Sequence, residues 1–203
     1  MTRVNANRNL AIRKMVESAI LIGIATLLNE FIKVDAPWAF GGSITLGSML
    51  PLVLVSWRWG VRQGLFSALV FSLMQLLLGI RNVAYGQNAF QMLAIALLDY
   101  IVAYSAYCLG GIFKNKAENK SLALALGLVL AGTVRFICHF ISGWMIWDAL
   151  WPNEEGLPGA VFSLVYNGGY MLPEVLVAVV IGLLLFAPLR KYWLGEDIQK
   201  QGA

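Results

Sequence analysis

Charge is scarce in this chain. Only 13% of its 203 residues are Asp, Glu, Lys or Arg, about half the share carried by an ordinary soluble domain. Histidine occurs once and cysteine twice. No HExxH and no Cys/His cluster with ligand spacing is present, so no metal site is expected. Cys108 and Cys138 both lie inside apolar runs and read as small apolar fillers, not as a disulfide framework. There is no G-x-x-x-x-G-K-[ST] loop, which excludes ATP hydrolysis by that route. There is no serine nucleophile elbow, no fixed-period repeat, no low-complexity tract and no linker. The two halves show no internal symmetry of the secondary-transporter kind. Together these absences describe a binder without a motor, with no catalytic residue and no cofactor.

What remains is apolar. Hydrophobic residues make up 59% of the chain and the mean hydropathy is +0.72, the composition of an integral membrane protein. At this length a single membrane domain over 1–203 is expected, with no room for a sizeable soluble module. The net charge of +4 does not point to nucleic acid, because the basic residues sit in short clusters between apolar runs. The N-terminus is basic, then long and apolar, without a small-residue cleavage site, and reads as a retained membrane helix.

Six membrane-length segments are predicted, at about 12–31, 46–57, 61–80, 90–113, 121–147 and 161–189. The second is short and expected to be broken by Pro51. The fold class is therefore an all-α membrane protein with six transmembrane helices. Arg3, Arg8, Arg13 and Lys14 precede the first segment. Arg58 and Arg62 separate the second from the third, Lys114, Lys116 and Lys120 the fourth from the fifth, and Arg190, Lys191 and Lys200 follow the sixth. All four positions fall on one side of a six-span protein, so both termini are expected to be cytoplasmic. The other side holds Glu30, Asp35, Asp148, Glu154 and Glu155, with Lys33 and Arg81 as minority cations.

Asp99 stands in "FQMLAIALLDYIVAY", roughly 14 Å from the outer end of the fourth segment at about 1.5 Å per residue. A carboxylate at such depth costs at least about 2.5–3.5 kcal/mol and needs a partner, a proton or a ligand. Arg135 is its structural candidate, although it lies deeper toward the cytoplasm. The single histidine stands in "RFICHFISGWMIWDALWP". His139, Gly143 and Trp147 are spaced i, i+4, i+8 on one helix face, with His139 at a depth similar to that of Asp99. Gly143 removes a side chain between imidazole and indole, leaving room for something flat. A core histidine, a packing glycine and an interfacial tryptophan belt explain the same residues, and for Trp144 and Trp151 the belt is the better account. In "FSLVYNGGYMLPE", Asn167, Tyr170 and Glu174 share a stripe. A kinked helix start explains the Pro and Gly of this stretch but not that stripe. Trp38 lies in an outer loop, "DAPWAFGGSITLG", long enough to fold over a site. A carboxylate, an imidazole, an amide and aromatic faces suit a flat, cationic ligand.

The stretches "GGSITLGSMLPLVLVSWRWGVRQGL", "LLDYIVAY", "RFICHFISGWMIW" and "SLVYNGGYMLPE" resemble the thiamine-specific S component of energy-coupling factor (ECF) transporters, over most of the chain. The resemblance implies a six-helix protein of the bacterial plasma membrane that captures thiamine from outside. Its implied partners are a coupling membrane protein and two ATPase subunits, which supply the missing motor. It also implies a binding role for Asp99 and the adjacent Tyr100, for His139, Gly143 and Trp147, for Asn167 and Tyr170, and for Trp38 in the loop. Two departures stand out. The family's acidic residue is often Glu, one methylene longer than Asp99, and a family tyrosine is replaced by Phe162, which lacks the hydroxyl. In the first segment, "ESAILIGIAT" carries Ala19 and Gly23 at small-xxx-small spacing, similar to the family's alanine motif for contacting the coupling protein. Two other readings stay open: an S component for another small vitamin or a thiamine precursor, and a membrane enzyme using His139 and Asp99.

Overall fold

The structure is a computed structural model that describes residues 3–35 and 42–199. Helix α1 spans Arg3–Phe31 and runs into a short antiparallel hairpin, β1 (Lys33–Asp35) with β2 (Ser43–Thr45), in which Val34 faces Ile44. Helices α2 (Leu50–Trp59) and α3 (Val61–Leu78) come next. Then come α4 (Ala89–Gly111), α5 (Lys120–Leu150) and α6 (Gly159–Phe186). Short helices Arg190–Leu194 and Glu196–Gln199 close the described chain. The hairpin corrects the expectation of a purely helical chain. It forms the roots of the loop that carries Trp38, and Trp38 itself lies outside the described residues.

Among the described residues, four helices are long and apolar enough to cross a bilayer: α3, α4, α5 and α6. The first and second of the six expected segments, α1 and α2, are not among these four. Helix α2 has 10 residues, a rise of about 15 Å against a hydrocarbon core of about 30 Å. Pro51 does not break it. It sits in the first turn, where a missing N–H costs nothing. Gly47, at φ 81°, turns the chain out of the β2 strand immediately before.

The sequence of α2, Leu-Pro-Leu-Val-Leu-Val-Ser-Trp, is apolar on every face, and the helix is the centre of the bundle. Every residue from Leu50 to Arg58 is buried. Helices α1, α3 and the end of α4 pack around it. Lipid is as apolar as leucine, so helices in a membrane associate through close backbone approach rather than hydrophobic transfer. Gly127 of α5 shows this: a Cβ there would strike the carbonyl of Gly110 in α4. Trp57 ties the same region by donating Nε1–H to the Gly110 carbonyl at 2.7 Å.

One end of the bundle is fastened by ions. The Arg58 side chain is wholly buried. Its guanidinium meets Glu17 of α1 through Nε and Nη2 at 3.0 Å each, and Asp197 of the last helix at 2.9 and 3.0 Å. It also donates to the Tyr192 carbonyl and lies over the Tyr192 ring, 3.5 Å from its centroid. Arg13 pairs with both acids. Hydrogen bonds from Arg58 hold the Asp197 carboxyl below its ordinary pKa. Burial, with Arg58 and Lys120 nearby, pushes the Lys114 amine below its own, and Lys114 Nζ donates to the carbonyls of Trp57 and Leu194 at 2.5 and 3.2 Å.

Candidate functional site

Two π-helical stretches carry the site. One, Ala96–Ile101, lies in α4 and contains Asp99 and Tyr100. The other, Gly143–Trp147, lies in α5. A π-turn widens the helix and rotates the residues beyond it to a new phase, a feature common at functional positions. Here the two turns aim Asp99 and Trp147 at each other. The Asp99 carboxylate accepts from Trp147 Nε1 at 2.8 Å and from Ser142 Oγ at 2.9 Å, and lies 3.2 Å from His139 Nδ1. With the carboxylate ionised, Nδ1 carries the hydrogen, leaving Nε2 for another partner. That Nε2 is buried and has no hydrogen-bond partner in the described structure. No Lys or Arg stands within ion-pair distance of Asp99 among the described residues.

Helix α6 closes the other flank. Asn167 Nδ2 donates to the His139 carbonyl at 3.3 Å, and Tyr170 OH donates to Asn167 Oδ1 at 2.9 Å. Asn167 also bonds Ser163, through its carbonyl at 3.0 Å and its hydroxyl at 3.1 Å. The space that a side chain would take at Gly143 is filled by Ser163 Oγ and by Asn167 Nδ2. The glycine therefore admits α6 against α5, and the slot expected between His139 and Trp147 is taken by protein. Tyr170 packs with Ile44 of β2, Phe136 and Tyr166, so the hairpin touches the site through its second strand. Phe162 stacks obliquely on Tyr166, with centroids 5.7 Å apart.

Two residues point elsewhere. Tyr100 OH donates to the Gly79 carbonyl at 3.1 Å and accepts from Asn82 Nδ2 at 3.0 Å, beyond the end of α3 and away from the His139 cluster. Glu174 pairs with Arg135 at 2.6 Å and accepts from Thr45 Oγ1 at 2.5 Å. Arg135 is thus taken by Glu174, not by Asp99. The serines were missed from sequence, although Ser142 stands at i+3 from His139 and Ser163 at i−4 from Asn167, the spacings that place residues on a shared face.

The fold is that of a mostly helical protein with four helices able to cross a bilayer and a polar-aromatic cluster buried between three of them. The chain belongs to the thiamine transporter protein family (Thia_YuaJ), whose model matches residues 15–193. It is 31% identical to the thiamine transporter ThiT of Bacillus subtilis over 189 residues, covering 89% of this chain and 93% of that protein. Against ThiT of Lacticaseibacillus paracasei the identity is 28% over 149 residues, covering 68% of this chain and 70% of that one. A solved structure of ThiT from Listeria monocytogenes superposes with a TM-score of 0.72 and 26% identity, covering 90% of this chain and 98% of that chain. A family of transporters sets aside the reading of an enzyme built on His139 and Asp99.

Proposed function

We propose that the protein is the thiamine-capturing S component of an ECF importer in a bacterial plasma membrane. The observation that carries this reading is the set of partners around one buried carboxyl group. The buried Asp99 side chain is surrounded by a histidine and two neutral donors, with no Lys or Arg against it in the described structure. Thiamine brings both an amino-pyrimidine edge, which donates hydrogen bonds to a carboxylate, and a thiazolium whose charge does not depend on pH. Trp147, which is only partly buried, is the ring proposed to stack on thiamine, and His139 Nε2 offers an unused polar atom. Trp38 and the Tyr100 and Phe162 positions belong to the wider set expected from the family resemblance.

In this reading residues 1–203 form one membrane domain that crosses six times, with both termini cytoplasmic. Helix α2 makes its crossing together with β2 and the turn that joins them. Irregular backbone is tolerated at membrane depth where protein covers it, and the buried Thr45, Ser48 and Met49 on that stretch support the assignment. A coupling membrane protein and two ATPases drive the cycle, docking on α1 around Ala19 and Gly23.

The test is a calorimetric titration of purified protein with thiamine, beside Asp99→Asn. Saturable binding of thiamine is expected, weakened in the variant by about 1.5–3 kcal/mol, the range for hydrogen bonds to charged groups. Equal affinity in the variant removes Asp99 from the site. Absence of thiamine binding by the wild type removes the function.

A further inference from the structure

Trp147 does not end the aromatic system. The Trp151 ring lies on it nearly parallel, with centroids 5.4 Å apart and an interplanar angle of 12°. Tyr85, from the segment after α3, meets Trp151 edge to face at 4.9 Å and 84°. The backbone of Trp151 is the last to bond back into α5, to the Trp147 carbonyl at 2.8 Å, before the chain leaves helical geometry. Three rings therefore stand in a row that starts at the Asp99 carboxylate and ends at the surface. Trp147 is partly buried, whereas Trp151 and Tyr85 are 54% and 53% exposed.

An aromatic belt explains half-exposed tryptophans that turn their rings to the headgroups. Trp151 does not fit that account, because one face of its ring is spent on a tryptophan that itself hydrogen-bonds Asp99. The charge around the outer rings has one predominant sign. Asp148 near the end of α5 and Glu154 and Glu155 in the α5–α6 connection follow Trp147 in sequence, and Arg81 on the short helix Ile80–Val83 precedes Tyr85. Exposed aromatic faces attract cations, and a field of one sign raises the local concentration of the opposite charge.

We propose that Trp151 and Tyr85 form an outer encounter subsite for the flat heteroaromatic cation, which binds there first and then passes along the ring row to Trp147 and Asp99. This inference rests on the thiamine reading above and concerns the route, not the destination. An encounter subsite is visible in the association rate. A residue that merely braces Trp147 acts on dissociation, where most affinity differences between related complexes arise.

The experiment is stopped-flow binding of thiamine at several salt concentrations, with dissociation measured separately by chase with excess unlabelled thiamine after loading the radiolabelled vitamin. Trp151→Ala and Tyr85→Ala are compared with wild type and with Trp144→Ala, a half-exposed tryptophan outside the row. Both row variants are expected to associate about fivefold more slowly or worse, with dissociation unchanged, and Glu154→Gln with Glu155→Gln to flatten the salt dependence. Trp144→Ala should follow the wild type. An unchanged association rate in both row variants overturns the proposal, and so does a loss of affinity carried by dissociation alone. Tyr85 is exposed, so its variant keeps the test decisive if Trp151→Ala fails to fold. If wild-type protein does not bind thiamine at all, the function reading fails and the route is not what failed.

Discussion

Glu174 and Arg135 show how much a single buried residue costs in this bundle. Their side chains are almost fully enclosed, meeting at 2.6 Å. Thr45 Oγ1 satisfies the second carboxylate oxygen, the guanidinium stacks near the Tyr104 and Tyr107 rings at 5.0 and 5.8 Å, and Arg135 Nε has no partner among the described residues. Removing one charge leaves the other buried without an opposite charge beside it. Glu174→Gln or Arg135→Met should each lower stability by about 3–5 kcal/mol, whereas Arg135→Met with Glu174→Met should recover most of the loss. Thermal unfolding in detergent measures this, and simple additivity of the single losses would show that the two do not act as a pair. The sequence marks both residues as misplaced in apolar runs, which is why Asp99, His139, Asn167 and Glu174 were all legible as special. It could not say who pairs with whom. Arg135 is the cation the sequence offers to Asp99 despite its greater depth, but in the fold it pairs with Glu174 of α6. The pairing of Trp147 with Asp99 was equally hidden, because it depends on two π-turns that no hydrophobic period announces.

At the scale of elements, the long apolar helices were legible because about 20 apolar residues have few other solutions. The observed α3, α4, α5 and α6 depart from expectation by a few residues at their ends. The hairpin was not legible, since three-residue strands carry too short a pattern to separate from loop. Nor was the C-terminal fastening, which joins Glu17, Arg58 and Asp197 across most of the chain length. That fastening makes a pH prediction. A carboxyl held below its ordinary value of 3.8 by Arg58 contributes stability that is present above that value and fades as pH falls through its folded pKa. The segment Glu196–Gln199 should therefore stay anchored from neutrality to about pH 4 and release below it. Fluorine NMR of fluorotryptophan-labelled protein, with the buried Trp193 resonance assigned by Trp193→Phe, reads the release. Asp197→Asn should show the released signal already at neutral pH. An anchored signal in that variant would mean that Trp193 packing against Trp57 and Phe186, at 6.0 and 6.3 Å, holds the segment without the ion pair.

At the scale of the whole molecule, the proposed docking on a coupling protein requires a face of α1 that is spare in the isolated fold. Helix α1 has such a face. Ala19 is exposed, and a Cβ added at Gly23 would meet no atom within 4 Å. Met15, Val16, Ile20, Ile24 and Leu27 are exposed on the same helix. The small-xxx-small pair is thus not used to pack α1 against the rest of the bundle. It is a shallow track flanked by apolar side chains, the surface another membrane helix needs for close backbone approach. The inward side of α1 does separate work: Ser18, Leu21, Ile22, Ala25 and Asn29 are buried, and Asn29 Nδ2 donates to Gln75 Oε1 of α3 at 2.9 Å. A bulky residue at position 19 or 23 should leave the inward face and the distant Asp99 cluster untouched while preventing another helix from seating. Ala19→Trp and Gly23→Trp are therefore expected to bind thiamine with wild-type affinity when purified and to lose most thiamine uptake in cells that hold the coupling protein and ATPases. Co-purification with the coupling protein should fall in step with uptake. If binding by the isolated variants fell instead, α1 would be carrying the site through its packing, and the docking face would have to be sought on another helix.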